Sequence, residues 1–185
     1  MVTLDGKGPD YQKGMDKLKA AVESNKSART EFDGYSIETA DMAERTCVGV
    51  RDTVEFAQMQ PFFESGFAKA TGGCEKDSLE MDGMPCGLYF VWDGANQTAE
   101  CMAAMHVASG STAEGLEAFT MGGKAIMLDY FGAYDKIGDA HIAMEEYMKW
   151  HGSLMNGPAI EEYLNDPTTA ADAPEIHTRI YYPIQ

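Results

Sequence analysis

The chain reads as one unit written twice. Strand, helix and hairpin follow one another between about residues 35 and 108, and the same order returns between 124 and 184. Gly87-x-Tyr89 stands in the first copy where Glu161-x-Tyr163 stands in the second, 74 residues later. Two such units each leave an apolar sheet edge uncovered, and together they can complete one core. A length of 185 residues suits one pseudo-duplicated domain. The expected division is an N-terminal segment, 1–33, and a domain, 34–185, built from repeat one (34–110) and repeat two (111–185).

Each segment has its own pattern. Tyr11, Met15, Leu18 and Val22 recur at helical spacing with lysines between them, so an amphipathic helix is expected over residues 10–27. Residues 35–54, YSIETADMAERTCVGVRDTV, alternate and end in β-branched side chains, as one or two strands would. Asp52 and Glu55 have capping-box spacing, which predicts a helix from near Thr53 through Phe56, Phe62, Phe63 and Phe67 to a stop at Gly72–Gly73. Pro61 inside that helix implies a kink or a late start. After a polar loop at 74–84, CGLYFVWD (86–93) and ECMAAMHVA (100–108) form a hairpin. In the second copy KAIMLDYF (124–131) is a strand, and Ile137, Ala140, Met144, Tyr147 and Met148 make one helical face closed by Gly152. AIEEYLND (159–166) and IHTRIYYPI (176–184) are strands joined by an acidic loop.

Charge narrows the partners. Lys and Arg number 14 against 30 Asp and Glu, a net charge of −16, and residues 1–30 are mildly basic while the remainder carries −18. No excess of cations exists to neutralise phosphates, so nucleic acid is not an expected partner, and neither is an anionic membrane. A hydrophobic share of 44% separates the chain from disordered acidic tails. Amphipathic or cationic small molecules are the partners such a charge accommodates best. A protein partner has no motif behind it. Cys47, Cys74, Cys86 and Cys101 show no CxxC or zinc-type Cys/His pairing, so neither a metal nor a cofactor is expected. The start, MVTLDGKGPD, has no apolar h-region, and a reduced, cytoplasmic setting is the expectation.

Strand alternation then selects a candidate site. Glu161 and Tyr163 point one way from their strand, while Ile160, Glu162 and Leu164 point the other. If the helices cover the apolar set, Glu161 and Tyr163 face a cleft between the copies, where Gly87 leaves room and Tyr89 supplies a ring. A carboxylate among aromatic faces is a cation trap, each ring adding roughly 0.5–2 kcal/mol. Desolvated, it also has the makings of a general acid or base. The competing reading is a solvated acid on an open sheet face. Trp92, beside Tyr89 on its strand, and Tyr130 are the further cage candidates. Thirteen methionines fit either core filling or a pliable pocket. His106, His141, His151 and His177 are scattered, and the His141/Glu145 pair reads as a surface contact on a helix.

These residues also carry a family resemblance. Gly132-x-Tyr134-Asp135-Lys136, Gly157-Pro158, Glu161-x-Tyr163-Leu164-Asn165-Asp166-Pro167 and Ile180-x-x-Pro183 resemble the second half of a GyrI-like, AraC-type effector-binding domain. TCVGVRDTVEF and GLYFVWD resemble its first half. Residues 8–24 resemble the last helix of START-type lipid-binding domains. The resemblance implies an α+β fold of duplicated β-α-β-β modules of SHS2 type, an antiparallel sheet with two helices on one face and a central ligand cleft. It also implies multidrug-type binding of hydrophobic, often cationic compounds, with the glutamate at Glu161 as polar anchor; joined to the repeat and the charge, the expected site is Glu161 in a cage of Tyr89, Trp92, Tyr130 and Tyr163. Glu162 replaces a usually apolar residue, and Tyr130 replaces a frequent histidine. Two alternatives stay open. One is a hydrolase of cyclopropane-bearing compounds, with Glu161 and Tyr163 or Tyr130 in acid–base roles. The other is an acidic interaction module of gyrase-inhibitor type.

Overall fold

In a computed structural model the described residues are 8–165 and 176–185. An N-terminal helix, α1 (Gly8–Ala28), precedes a small β-ribbon of β1 (Glu31–Phe32) and β2 (Tyr35–Ser36). The remaining elements are β3 (Glu38–Glu55), α2 (Met59–Lys76), β4 (Met81–Asp93), β5 (Thr98–Val107), β6 (Glu117–Phe131), α3 (Ile137–His151), β7 (Ala159–Tyr163) and β8 (His177–Pro183). The order β-α-β-β thus occurs twice, in an α+β fold. All six long strands pair antiparallel, in the order β3-β5-β4-β7-β8-β6, and the sheet closes on itself. α2 and α3 pack on its outer face.

Closure divides each strand between two apolar environments. The inner side of the sheet gathers Cys47, Cys86, Leu88, Met102, Ala104 and Ile160. The outer side places Ile126, Leu128, Ile180 and Tyr182 under Ala140, Met144 and Tyr147 of α3. Leu88, Met102, Ile126, Leu128, Met144, Ile160 and Ile180 are fully buried, each contributing about 1.5–3 kcal/mol of transfer free energy. Methionine serves here as core filler.

The repeat is visible in the register. Thr46 faces Thr120 across β3 and β6, and their hydroxyls lie 3.0 Å apart. Gly87 faces Glu161 across β4 and β7. The Tyr89 and Tyr163 hydroxyls also meet, at 3.3 Å. Each pair is separated by 74 residues, so a pseudo-twofold axis passes between its members. Antiparallel pairing lets a twofold axis lie between the strands, so that equivalent residues of the two copies stand opposite each other.

The boundaries differ from expectation in the first copy. No helix starts at Thr53; β3 continues to Glu55, because Thr53 and Val54 pair with Glu100 and Ala99 of β5. Asp52 accepts the Thr53 amide instead of closing a capping box. A short 3-10 turn, Phe56–Gln58, follows, and Pro61 falls in the first turn of α2, where its missing N–H costs nothing. The helix runs through Gly72–Gly73 to Lys76 because the turn beyond them buries Cys74 against Val48, Val107 and Ala113. In the second copy α3 ends as expected on Gly152, in the left-handed region with φ 73°. α1 forms, but Met15 and Leu18 are exposed, at 47% and 60%. The acidic loop after Asn165 lies outside the described residues. Among the described residues, no helix is long and apolar enough to cross a membrane.

Candidate functional site

The site lies on the outer face of the sheet, at the seam between α2 and α3. Glu161 is 5% exposed, and three groups meet its carboxylate. Tyr163 donates its hydroxyl to Oε2 at 2.8 Å, and Tyr89 donates to the same oxygen at 3.2 Å. His141 Nε2, from α3, lies 2.8 Å from Oε1, and the Tyr182 hydroxyl lies 2.8 Å from His141 Nδ1. A neutral imidazole satisfies this chain completely: Tyr182 donates to Nδ1, and Nε2–H donates to the carboxylate. Burial raises the Tyr89 and Tyr163 hydroxyls well above the ordinary tyrosine range, and the Glu161 charge adds to the effect. Burial likewise raises Tyr182, assisted by Glu145 and Glu161. All three therefore stay protonated donors at neutral pH.

Local geometry makes this cluster possible. A Cβ on Gly87 would stand 2.8 Å from the Tyr163 hydroxyl and 3.1 Å from Phe63 Cε1, so only glycine leaves space for both rings. The aromatic wall has twofold character. Phe67 of α2 leans on Tyr163 at 5.8 Å, and His141 of α3, 74 positions later, leans on Tyr89 at 6.5 Å. Phe63 packs 5.7 Å from Tyr89, and Tyr134 packs 5.5 Å from Tyr163.

Of the residues singled out from sequence, Glu161, Tyr163 and Tyr89 come together. Trp92 stands at the margin, its ring 6.4 Å from Tyr89 and stacked at 4.3 Å on Phe56, with 60% exposure. Tyr130 lies apart, buried near Tyr35, and donates its hydroxyl to the Ala133 carbonyl. Alternation gave the parity of Glu161 correctly but not the surface it faces. The Ile160/Glu162 side enters the closed sheet, and the Glu161/Tyr163 side meets the helices. A closed sheet offers an apolar interior of its own, so the helices need not cover that set.

His141 and Tyr182 were not singled out for this cluster. His141 sits where repeat one has Phe67, and that substitution of an aromatic by an imidazole was the available signal. Phe63 and Phe67 carry no mark in the sequence that separates them from core aromatics, and Tyr134 stood out only as part of the Gly132-x-Tyr134-Asp135-Lys136 landmark.

Glu162 has a different environment. Its Oε1 takes a hydrogen bond from Arg45 Nη1 at 2.5 Å, and it also lies at ion-pair distance, 3.3 Å, from His106 Nε2, though outside good hydrogen-bond geometry. Beyond His106, Cys47 Sγ approaches its Nδ1 at 3.2 Å and Cys86 Sγ at 3.4 Å. Hydrogen bonding from Cys86 lowers the Cys47 thiol to about 6 against the opposing effect of burial, with His106 and Arg45 assisting. Cys86 is raised in turn by its bond to Cys47. Burial disfavours charge on His106, but Cys47 and Glu162 outweigh it and lift the imidazole to about 9. The interior thus brings two cysteine sulfurs, an imidazole and a carboxylate into one chain of contacts, with Arg45 paired to Glu162 at its end.

Family models and curated proteins give no match to this chain. Solved structures do. The C-terminal domain of EcmrR superposes with a TM-score of 0.65 at 18% identity, covering 82% of this chain and 98% of that domain. EcmrR in its complex with DNA gives 0.68 at 16% identity, covering 95% of this chain and 66% of EcmrR, so this chain spans about two thirds of that protein. SAV2435 bound to tetraphenylphosphonium gives 0.55 at 18% identity, with 82% and 93% coverage. The likeness establishes a common fold.

Proposed function

We propose that this chain is a GyrI-like effector-binding domain that takes hydrophobic, cationic small molecules on the aromatic surface over Glu161. The observation that carries the reading is the company of that carboxylate. Among the described residues its partners are two tyrosine hydroxyls and an imidazole, none with a permanent positive charge. Glu162, one residue on, has Arg45. Among the described residues no permanent cation thus stands against Glu161, and it is sheathed in rings whose faces favour cations.

A quaternary cation cannot hydrogen-bond, so it needs charge at short range and aromatic contact rather than an open carboxylate. Trp92 and Tyr134, 60% and 39% exposed, offer the outer surface on which it would first settle. The tetraphenylphosphonium held by SAV2435, on the same fold, is a ligand of this class. The role is binding rather than turnover. The Tyr89, Tyr163 and Tyr182 hydroxyls and both ring nitrogens of His141 are engaged within the cluster, an arrangement that suits holding a ligand in place.

Tryptophan fluorescence tests the placement. Tetraphenylphosphonium is expected to change the emission saturably, with the change largely lost in Trp92→Phe and retained in Trp150→Phe. A non-saturating response, or one carried by Trp150, would exclude a site over Glu161.

A further inference from the structure

The second cluster of chemistry lies inside the closed sheet, and the ligand-binding reading makes no use of it. Cys47 of β3, Cys86 of β4 and His106 of β5 come from three strands, and their ligating atoms all lie within 4.8 Å of one another. The two sulfurs and the imidazole are essentially inaccessible, at 0%, 0% and 1% exposure. We propose that Cys47, Cys86 and His106 Nδ1 form a binding site for a thiophilic divalent cation, zinc, held by two thiolates and one imidazole.

Geometry supports zinc. Bond lengths of about 2.3 Å to sulfur and 2.0–2.1 Å to nitrogen imply tetrahedral edges of about 3.8 Å between sulfurs and about 3.6 Å between sulfur and nitrogen. The observed separations of 3.4 Å and 3.2 Å are a few tenths of an ångström shorter. Small side-chain rotations would open the triangle to accept the ion.

The surroundings complete the pattern. Metal-ligating histidines usually give their other ring N–H to a carboxylate, which fixes tautomer and orientation. His106 Nε2 faces Glu162 Oε1 at 3.3 Å and is otherwise an unpartnered buried nitrogen. Arg45 anchors that carboxylate from the other side. This gives an acid on a strand interior, where an apolar residue would pack without cost, a specific task. Charge also balances: two thiolates neutralise a divalent cation, so the interior gains none when the metal enters. The Arg45 side chain is 33% exposed, so the chain of contacts from Cys47 through His106 and Glu162 ends at a residue that solvent reaches. Three protein ligands leave one corner of the tetrahedron, the coordination of an open site rather than a closed structural one.

The site is independent of the Glu161 surface, so its test is separate. The reduced full-length chain would be titrated with zinc against a colorimetric chelator, and with cobalt as a spectroscopic substitute. The expectation is about one zinc per chain and a near-ultraviolet sulfur-to-cobalt charge-transfer band. Both should be lost in Cys47→Ala and Cys86→Ala, weakened about 10- to 100-fold in affinity by Glu162→Gln, and retained in Cys74→Ala. Circular dichroism would establish that each variant is folded, and the cobalt band of the unaltered chain requires no variant at all. Failure of the folded, reduced chain to take up either metal would overturn the proposal. So would uptake without the charge-transfer band, or uptake unchanged in both cysteine variants.

Discussion

Replacing Glu161 by glutamine is expected to weaken tetraphenylphosphonium binding about 30- to 100-fold while leaving the fold in place. The magnitude follows from Coulomb's law: a cation about 6 Å away at an effective dielectric constant of 20 gains about 2–3 kcal/mol from one carboxylate. The fold should survive because the amide can satisfy the same neighbours. Its oxygen accepts the Tyr163 and Tyr89 hydroxyls now aimed at Oε2, and its NH2 group donates to His141 Nε2. The imidazole then adopts the other tautomer and donates from Nδ1 to the Tyr182 oxygen. Only the charge is lost. Calorimetric titration of both proteins with the cation measures the difference. Equal affinities would remove Glu161 from the anchor role.

The second large effect concerns the framework. Gly49→Ala is expected to lower stability by at least about 3 kcal/mol. Gly49 is flanked on both sides, facing Ala104 of β5 and Glu117 of β6. A Cβ there would fall 2.1 Å from the Ala103 carbonyl oxygen and 2.7 Å from the Ala104 Cα. Both obstacles are backbone, so no side-chain rotation relieves them and the strands must separate. For a chain of this size the melting midpoint should fall by about 6–12 °C in thermal denaturation. An unchanged midpoint would mean that β3 and β5 do not approach as closely as described.

The repeat was legible because two copies impose the same patterns twice, and 74 residues of separation survive as direct pairing across the sheet. Gly87 opposite Glu161, and Tyr89 against Tyr163, follow from that one number. The parity of Glu161 was legible for the same reason that any strand face is. What escaped was closure. Whether six strands remain open or join edge to edge depends on twist and register, not on alternation within one strand. Closure sends Glu162 inward to Arg45 and His106, and turns Glu161 toward His141, a residue read from sequence as part of a surface contact on its helix. The Cys47/Cys86/His106 group was hidden likewise. Its members come from three strands, so no short spacing in the sequence signals them.

The central claim is that this surface selects its ligand by charge. The most direct measurement compares tetraphenylphosphonium with tetraphenylborate, which match in shape and ring area and differ in sign. Calorimetry on the unaltered chain should show saturable binding of the cation and at least about 100-fold weaker binding of the anion, since Glu161 attracts the first by about as much as it repels the second. Comparable affinity for the two would show that apolar contact alone governs the surface, and would contradict the role given to Glu161.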